Sequence, residues 1–263
     1  MDGLSKSAVN RLGARLRSAD VPSAEDVEIY IGWSAGYSGA LEDVEAEVVG
    51  QAKQVGDFEI ASRTKQISSV IAKLKRMNRS NLARIEDIVG CRVIVPTLLD
   101  QDRLAIRCAR LNVTRNPRDY RRDSQHGYRA VHFTIRSSTG LLVEVQVRTE
   151  LQHTWARLTE RMPAIVDPAL KYGGGPNRER RFLDLLSFLG YHLDLERAHH
   201  TAQLDFVVRF GDYVGTHIPT SVDKGRQADL FEQLDSRGAE LASKLEEFAA
   251  LCDTLASEGR TER

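Results

Sequence analysis

The sequence predicts an α+β fold, in which a mixed, mainly antiparallel sheet of about five strands is flanked by helices. Two neighbouring runs, 128–136 and 141–148, alternate apolar and polar residues with a period of two, which is typical of strands with one buried face. A short apolar run at 91–95, stopped by Pro96, indicates a buried strand. Segments on both sides of this central part carry apolar residues at helical spacing.

The two alternating runs predict a hairpin. Pairing of Ser137 with Leu141 leaves the loop 138–140, with Gly140 at the left-handed position. One face then carries only apolar side chains, namely Val131, Phe133, Ile135, Val143, Val145 and Val147. The other face carries Tyr128, Ala130, His132, Thr134, Arg136, Glu144, Gln146 and Arg148. A polar outer face is also normal for a solvated hairpin, so the hairpin alone leaves a solvated face and a binding surface open.

The remaining pattern predicts three regions: a helical region over 1–55, a core over 56–175 and a helical extension over 176–263. A further strand is predicted at 57–66 and a polar, basic loop at 112–124. Helices are predicted at 4–17, 27–52 with an interruption at 36–39, 68–77, 99–111, 150–162, 178–200 and 227–256. The segment 206–210 fits either a short strand or a turn of helix.

The bulk composition is that of an ordinary globular protein. The 37 basic and 37 acidic side chains cancel, so a polyanion could be attracted only by a local patch. Three isolated cysteines argue against a disulfide framework and a zinc site, and favour a reducing cytoplasm. The first twenty residues contain no long apolar run, so we expect neither a signal peptide nor membrane association.

A basic stretch precedes the 91–95 strand. Arg63 and Lys65 end the predicted first strand, and Ser69 and Lys73 lie on the helix that follows. Such an arrangement gathers donors around a polyphosphate, although a solvated basic face has the same pattern.

A carboxylate lies just ahead of the same strand. Asp87 precedes Gly90, which permits close approach to the strand. An acid at the mouth of a sheet suits magnesium, which prefers one or two carboxylates with phosphate oxygens; a helix cap is the alternative.

These motifs resemble those of a known family. G-Y-R-A-V-H from Gly127 followed by V-E-V-Q-V-R-T from Val143 resembles the core signature of the RelA/SpoT nucleotidyltransferase domain, whose members move a diphosphate from ATP to a ribose 3′-hydroxyl. R-x-K at 63–65 followed by K-L-K-R resembles the ATP-binding stretch of that family. D-x-x-G-x-R from Asp87 resembles its metal-binding motif.

The resemblance implies a role for each matching residue. Asp87 is the expected magnesium ligand, and Glu144 is expected to share the metal or to remove the proton from the 3′-hydroxyl. Residues expected to bind or support the donor ATP are Arg63, Lys65, Ser69, Lys73 and Arg92. Residues expected to bind the acceptor are Tyr128, His132, Gln146, Arg148, Arg121 and Arg122.

The chain departs from the family pattern at the acceptor side. Alarmone synthetases usually carry P-K-x-N-G-Y, whereas this chain has Ser124 and His126 at the lysine and asparagine positions. Together with the arginine-rich loop around Tyr120, this favours a toxic small member that pyrophosphorylates the 3′ end of tRNA. The alternatives are an alarmone synthetase acting on GDP/GTP or ADP/ATP, and a non-catalytic nucleotide-binding module.

Two further partners stay open at this point. A toxic member would be accompanied by an antitoxin protein. The heptad-like spacing of apolar residues at 227–256 fits a homo-oligomer through the C-terminal helices, or a helix that lies back on its own domain.

Overall fold

The computed structural model describes residues 4–77, 81–121, 124, 126–162, 167, 169, 173–214 and 223–261. Its helices are α1 (Lys6–Ser18), α2 (Ala24–Ala35), α3 (Ser38–Ala52), α4 (Ile67–Arg76), α5 (Leu98–Cys108), α6 (Glu150–Arg161), α7 (Asn177–Val214) and α8 (Asp223–Thr261). Its strands are β1 (Glu59–Thr64), β2 (Val89–Val95), β3 (Arg118–Asp119), β4 (Val131–Arg136) and β5 (Leu142–Thr149). The five strands form one sheet in the order β1-β2-β5-β4-β3, which confirms the α+β prediction.

The hairpin has the predicted register. The Ser137 backbone N–H donates to the Leu141 carbonyl at 2.9 Å, and Gly140 adopts φ +83°. All six apolar side chains of the inner face are at most 3% exposed, and burial of each stabilises the fold by about 1.5–3 kcal/mol. The alternation therefore fixes which side chains of β4 and β5 remain available for chemistry.

The chain divides into two compact units. The first comprises residues 1–93, 106–118 and 132–146. Within it, α1 packs against α4 and the 3-10 turn Leu82–Arg84, with Val9, Leu12 and Leu16 buried. The Ser23 side chain accepts from the Asp26 backbone N–H at 3.1 Å and so caps the start of α2.

The second unit comprises residues 94–105, 119–131 and 147–263. In it α6, α7 and α8 pack around Trp155, whose indole N–H donates to the Leu183 carbonyl at 2.8 Å. Thr149 and Gln152 form a capping box at the start of α6. The Thr149 hydroxyl also donates to the buried Asp194 carboxylate at 2.5 Å, and so ties α7 to this helix start.

Two segments differ from the sequence prediction. The predicted loop 112–124 contains the two-residue strand β3 and an antiparallel bridge between Val113 and Ile135. An edge pairing this short needs no apolar alternation, so the pattern gave no signal for it. The helix predicted at 178–200 continues to Val214, which makes 206–210 helical. Within the described part of the chain, no helix is long and apolar enough to cross a bilayer.

Close packing of β2 on β5 gives a stability prediction. A Cβ on Gly90 would lie 2.6 Å from the Glu144 backbone oxygen, so Gly90→Ala must displace a strand and should lower the free energy of unfolding by about 1–3 kcal/mol. Gly32→Ala in α2 meets nothing within 4 Å and should raise it by about 0.5–1 kcal/mol. Urea denaturation measures both. A Gly90→Ala variant as stable as the wild type would contradict the close approach.

Candidate active site

The Asp87 carboxylate is the centre of the site in the first unit. Its Oδ2 accepts from Lys65 Nζ and its Oδ1 accepts from Lys73 Nζ, both at 2.8 Å. Lys65 directly follows β1, and its backbone N–H donates to the Ile88 carbonyl at 2.7 Å. This bond holds the end of β1 beside the start of β2, so two segments distant in sequence meet at one acid.

Helix α4 supplies the second lysine. Val70 and Leu74 are buried on its inner face, and Lys73 is half-buried between them and solvent. Ser69 is exposed on the first turn of α4, and Arg63 is exposed on β1. Of the four donor-binding residues predicted between positions 63 and 73, the structure brings Lys65 and Lys73 to Asp87, while Arg63 and Ser69 lie on the surface.

The two lysines keep Asp87 ionised. Its partial burial alone would raise the pKa of the carboxyl, because charge is less stable away from water. The charges and hydrogen bonds of Lys65 and Lys73 outweigh burial, and the net effect lowers the pKa of Asp87. The site therefore holds a permanent negative charge between two cations.

Glu144 lies on the central strand β5 and is held by its neighbours on the polar face. His132 Nδ1 on β4 lies 3.2 Å from Glu144 Oε1, and Gln146 Nε2 donates to Oε2 at 2.7 Å. Burial opposes ionisation, but the His132 and Gln146 hydrogen bonds and the charge of Lys73 lower the pKa of Glu144 to about 2. Lys73 thus acts electrostatically on both acids of the unit.

Two residues near Asp87, Tyr30 and Glu86, were missed by sequence reasoning. The Tyr30 hydroxyl on α2 donates to the Lys65 carbonyl at 2.5 Å, and burial followed by the charge of Asp87 raises the pKa of Tyr30 to about 12. Glu86 pairs with Arg115 from the basic loop, and Arg115 also donates to Thr134 Oγ1 at 3.2 Å. These contacts span 19 to 35 residues, so no local pattern could have indicated them.

The second unit contains Tyr128 and Arg148, two of the residues predicted to bind the acceptor. Arg148 is buried, and its Nη2 donates to the Tyr128 hydroxyl at 2.8 Å. The Tyr120 ring contacts the Tyr128 ring edge-on, with centroids 5.9 Å apart. These three residues form one cluster, whereas the sequence had placed Tyr120 only in a loop.

Three arginines remain among the residues predicted to bind the acceptor or the donor ATP: Arg121, Arg92 and Arg122. Arg121 is held by two carboxylates, since its Nη2 lies 2.6 Å from Asp119 Oδ2 and its Nη1 lies 2.5 Å from Asp102 Oδ1. Arg92 is half-buried on β2. Arg122 lies outside the described residues.

The donor set fits magnesium. Among the described residues no group of three or more His, Cys, Asp or Glu side chains forms a metal cage. Asp87 and Glu144 instead offer two ionised carboxylates, which matches the preference of Mg²⁺ for a few protein oxygens completed by phosphate oxygens.

The lowered pKa of Glu144 predicts that the free energy of unfolding falls at acid pH. Because the folded pKa is about 2 and the ordinary value is 4.5, the stabilisation is complete above 4.5 and is lost as the pH falls towards 2. Between about pH 7 and pH 3, Glu144→Gln should therefore lose less stability than the wild type, by on the order of 2 kcal/mol. Urea denaturation at both pH values measures this. Glu47→Gln, at an exposed position of α3, is the control and should follow the wild type. Equal acid losses in all three proteins would contradict the stabilisation of ionised Glu144 by these neighbours.

Part of the chain is similar to known proteins. Residues 62–162 match the region found in RelA and SpoT proteins. Uncharacterized proteins of Mycobacterium tuberculosis and Mycobacterium bovis are 32% identical to this chain over 182 residues, which is 66% of its length. The match spans 64% of the length of these relatives.

Solved structures share the fold. The crystal structure of small alarmone synthetase 1 from Bacillus subtilis is 23% identical, with a TM-score of 0.56, and the match covers 67% of this chain and 97% of that one. A structure of a GTP pyrophosphokinase family protein from Streptococcus pneumoniae is 22% identical, with a TM-score of 0.50, covering 66% and 96%. Residues 62–162, which include Lys65, Lys73, Asp87 and Glu144, are therefore similar to the region found in RelA and SpoT proteins.

Proposed function

We propose that the protein is a pyrophosphokinase that transfers the β,γ-diphosphate of ATP to a ribose 3′-hydroxyl. The proposal rests on a group of positively and negatively charged side chains in the first unit. Two lysines and two ionised acids, Lys65, Lys73, Asp87 and Glu144, lie within the matched RelA/SpoT region. Phosphoryl-type transfer needs this combination, because catalysis rests on positioning and on neutralising phosphate charge.

Each group has a task in the transfer. The acceptor oxygen attacks the β-phosphorus of ATP, the bond from that phosphorus to the α-phosphate oxygen breaks, and AMP leaves. Lys65 and Lys73 stabilise the charge on the transferring diphosphate. Asp87 and Glu144 would hold Mg²⁺, which, when bound, neutralises phosphate oxygens.

Glu144 is also the proposed acceptor of the 3′-hydroxyl proton. A pKa of about 2 makes it a weak base, because general bases work best with a pKa near the working pH. His132 and Gln146 contribute most to this low value, and Lys73 makes the smallest contribution. A polyphosphate bound at Lys73 offsets the lysine charge and so raises the proton affinity of Glu144 when the donor is present. His132 and Gln146 keep its two oxygens oriented.

We infer that the acceptor is a free purine nucleotide, and we keep tRNA as the second candidate. Tyr128 offers an aromatic ring for base stacking, an interaction worth about 1–3 kcal/mol. The tRNA alternative depends on the basic loop, where Arg115 pairs with Glu86 and Arg121 with Asp119 and Asp102. These carboxylates reduce the positive charge that an RNA backbone requires. Ser124 and His126, in place of the usual lysine and asparagine, are the observation that keeps tRNA as the second candidate.

Radiolabel transfer tests the proposal. Full-length protein, Mg²⁺ and γ-labelled ATP are incubated in turn with GDP, ADP and deacylated tRNA. We expect label on a free nucleotide, loss of transfer by at least about 100-fold in Glu144→Gln, and full activity in the control Glu47→Gln.

The outcomes separate the hypotheses. Label on tRNA alone would overturn the nucleotide acceptor and support the toxin hypothesis, with its antitoxin partner. No label on any acceptor would overturn the pyrophosphokinase proposal in favour of a nucleotide-binding module. Full activity in Glu144→Gln would remove Glu144 from the mechanism.

A further inference from the structure

The chain makes a left-handed turn immediately before Tyr128. His126 has a φ of +54° and Gly127 has a φ of +83°, so two residues in succession adopt the left-handed conformation. This conformation is uncommon for a residue that carries a side chain, as His126 does. A backbone of this kind persists where the surrounding structure holds it in place.

Helices α6 and α7 form the wall behind this turn. A Cβ on Gly127 would lie 2.6 Å from Trp155 Cζ2 and 3.2 Å from Ser187 Cβ, so the Gly127 backbone packs directly on both helices. Trp155 is itself held by the hydrogen bond from its indole N–H to the Leu183 carbonyl of α7. The turn therefore has no room to move towards the helices.

Ser187 of α7 binds the chain on both sides of Tyr128. Its hydroxyl donates to the Gly127 carbonyl at 2.5 Å and accepts from Arg129 Nε at 3.2 Å. Ser187 is only 6% exposed, so water has little access to replace these two hydrogen bonds. One hydroxyl thus fixes the residues before and after the ring that is proposed to stack on the acceptor base.

Tyr191, one turn further along α7, holds the same arginine. The Arg129 guanidinium lies 4.2 Å from the Tyr191 ring centroid, which is within the range of a cation–π interaction, and it also donates to the Arg121 carbonyl. Residues four apart lie on one face of a helix, so Ser187 and Tyr191 contact this segment from the same face of α7.

We propose that Ser187 and Tyr191 are positioning residues, which hold the backbone around Tyr128 so that its ring meets the base of the acceptor. This inference rests on the proposed function, in which Tyr128 binds the acceptor. The Tyr128 ring is fixed by a separate contact, since Arg148 Nη2 donates to its hydroxyl at 2.8 Å. Both positioning residues lie beyond residues 62–162, the part that matches RelA and SpoT proteins. The C-terminal extension therefore contributes to acceptor affinity.

Steady-state kinetics test the positioning role, with GDP, ADP or deacylated tRNA as the acceptor, whichever takes label in the wild type. Ser187→Ala should raise KM for the acceptor by at least about tenfold, because two hydrogen bonds to the turn are lost, and should change kcat and KM for ATP by less than about threefold. Tyr191→Leu should raise KM for the acceptor about threefold, whereas Tyr191→Phe keeps the ring and should match the wild type. Ser243→Ala, at an exposed position of α8, is the matched control.

The division between KM and kcat separates positioning from a loss of folded protein. A smaller folded fraction lowers kcat and leaves KM unchanged, so that result in Ser187→Ala would overturn the proposal. Wild-type kinetics in Ser187→Ala or in Tyr191→Leu would remove that residue from the positioning role.

A double variant tests whether Ser187 acts through Tyr128. In a Tyr128→Leu background, Ser187→Ala should lower kcat/KM for the acceptor by no more than about twofold, because the ring that it positions is already absent. A full tenfold loss in that background would overturn positioning through Tyr128.

Hydrogen exchange of backbone amides gives a readout that needs no turnover. Ser187→Ala should speed exchange over residues 126–130 by at least about tenfold and leave exchange in α3 unchanged. Unchanged exchange over 126–130 would overturn the hold of α7 on the turn. If exchange speeds up but the wild type labels no acceptor, the proposed function and the acceptor role are overturned, while the hold on the turn is confirmed.

Discussion

The Lys73 ammonium is the group on which the described site depends. It donates to Asp87, and its charge adds to the larger effects of His132 and Gln146 that lower the pKa of Glu144, so one side chain from α4 acts on an acid before β2 and on an acid on β5. Both acids are removed from much of the solvent, and burial alone would raise the pKa of each. The apolar side of α4, with Val70 and Leu74, sets the position of Lys73 and so links the packing of the core to the charge of the site.

Much of this site could be predicted from sequence because its members lie on regular patterns. Glu144 and His132 follow from the alternation of the hairpin, since their neighbours Val143, Val145 and Phe133 had to be buried. Resemblance to the family motifs assigned Lys65 and Lys73 to the donor phosphates and Asp87 to magnesium, and the structure shows these three side chains in contact.

The rest depends on contacts between distant segments. Tyr30 reaches Lys65 from a helix whose sequence suggested no chemistry, and Arg115 reaches Glu86 from a segment that resembled a loop. Ion pairing also changes the meaning of the basic loop: Arg121 counts as a free cation in the sequence, but in the fold it neutralises Asp119 and Asp102. Composition shows how many charges a segment has, whereas only the fold shows which of them remain available to a ligand.

Binding of a non-hydrolysable ATP analogue tests the central role of Lys73 most directly. Isothermal titration calorimetry with Mg²⁺ would compare the wild type, Lys73→Met and the matched control Lys75→Met, whose lysine is exposed on the same helix and donates to the Ala19 carbonyl. We predict that Lys73→Met weakens binding by at least about tenfold, because a cation at the phosphates is lost, and that Lys75→Met binds like the wild type. Equal affinity of Lys73→Met and the wild type would contradict the account.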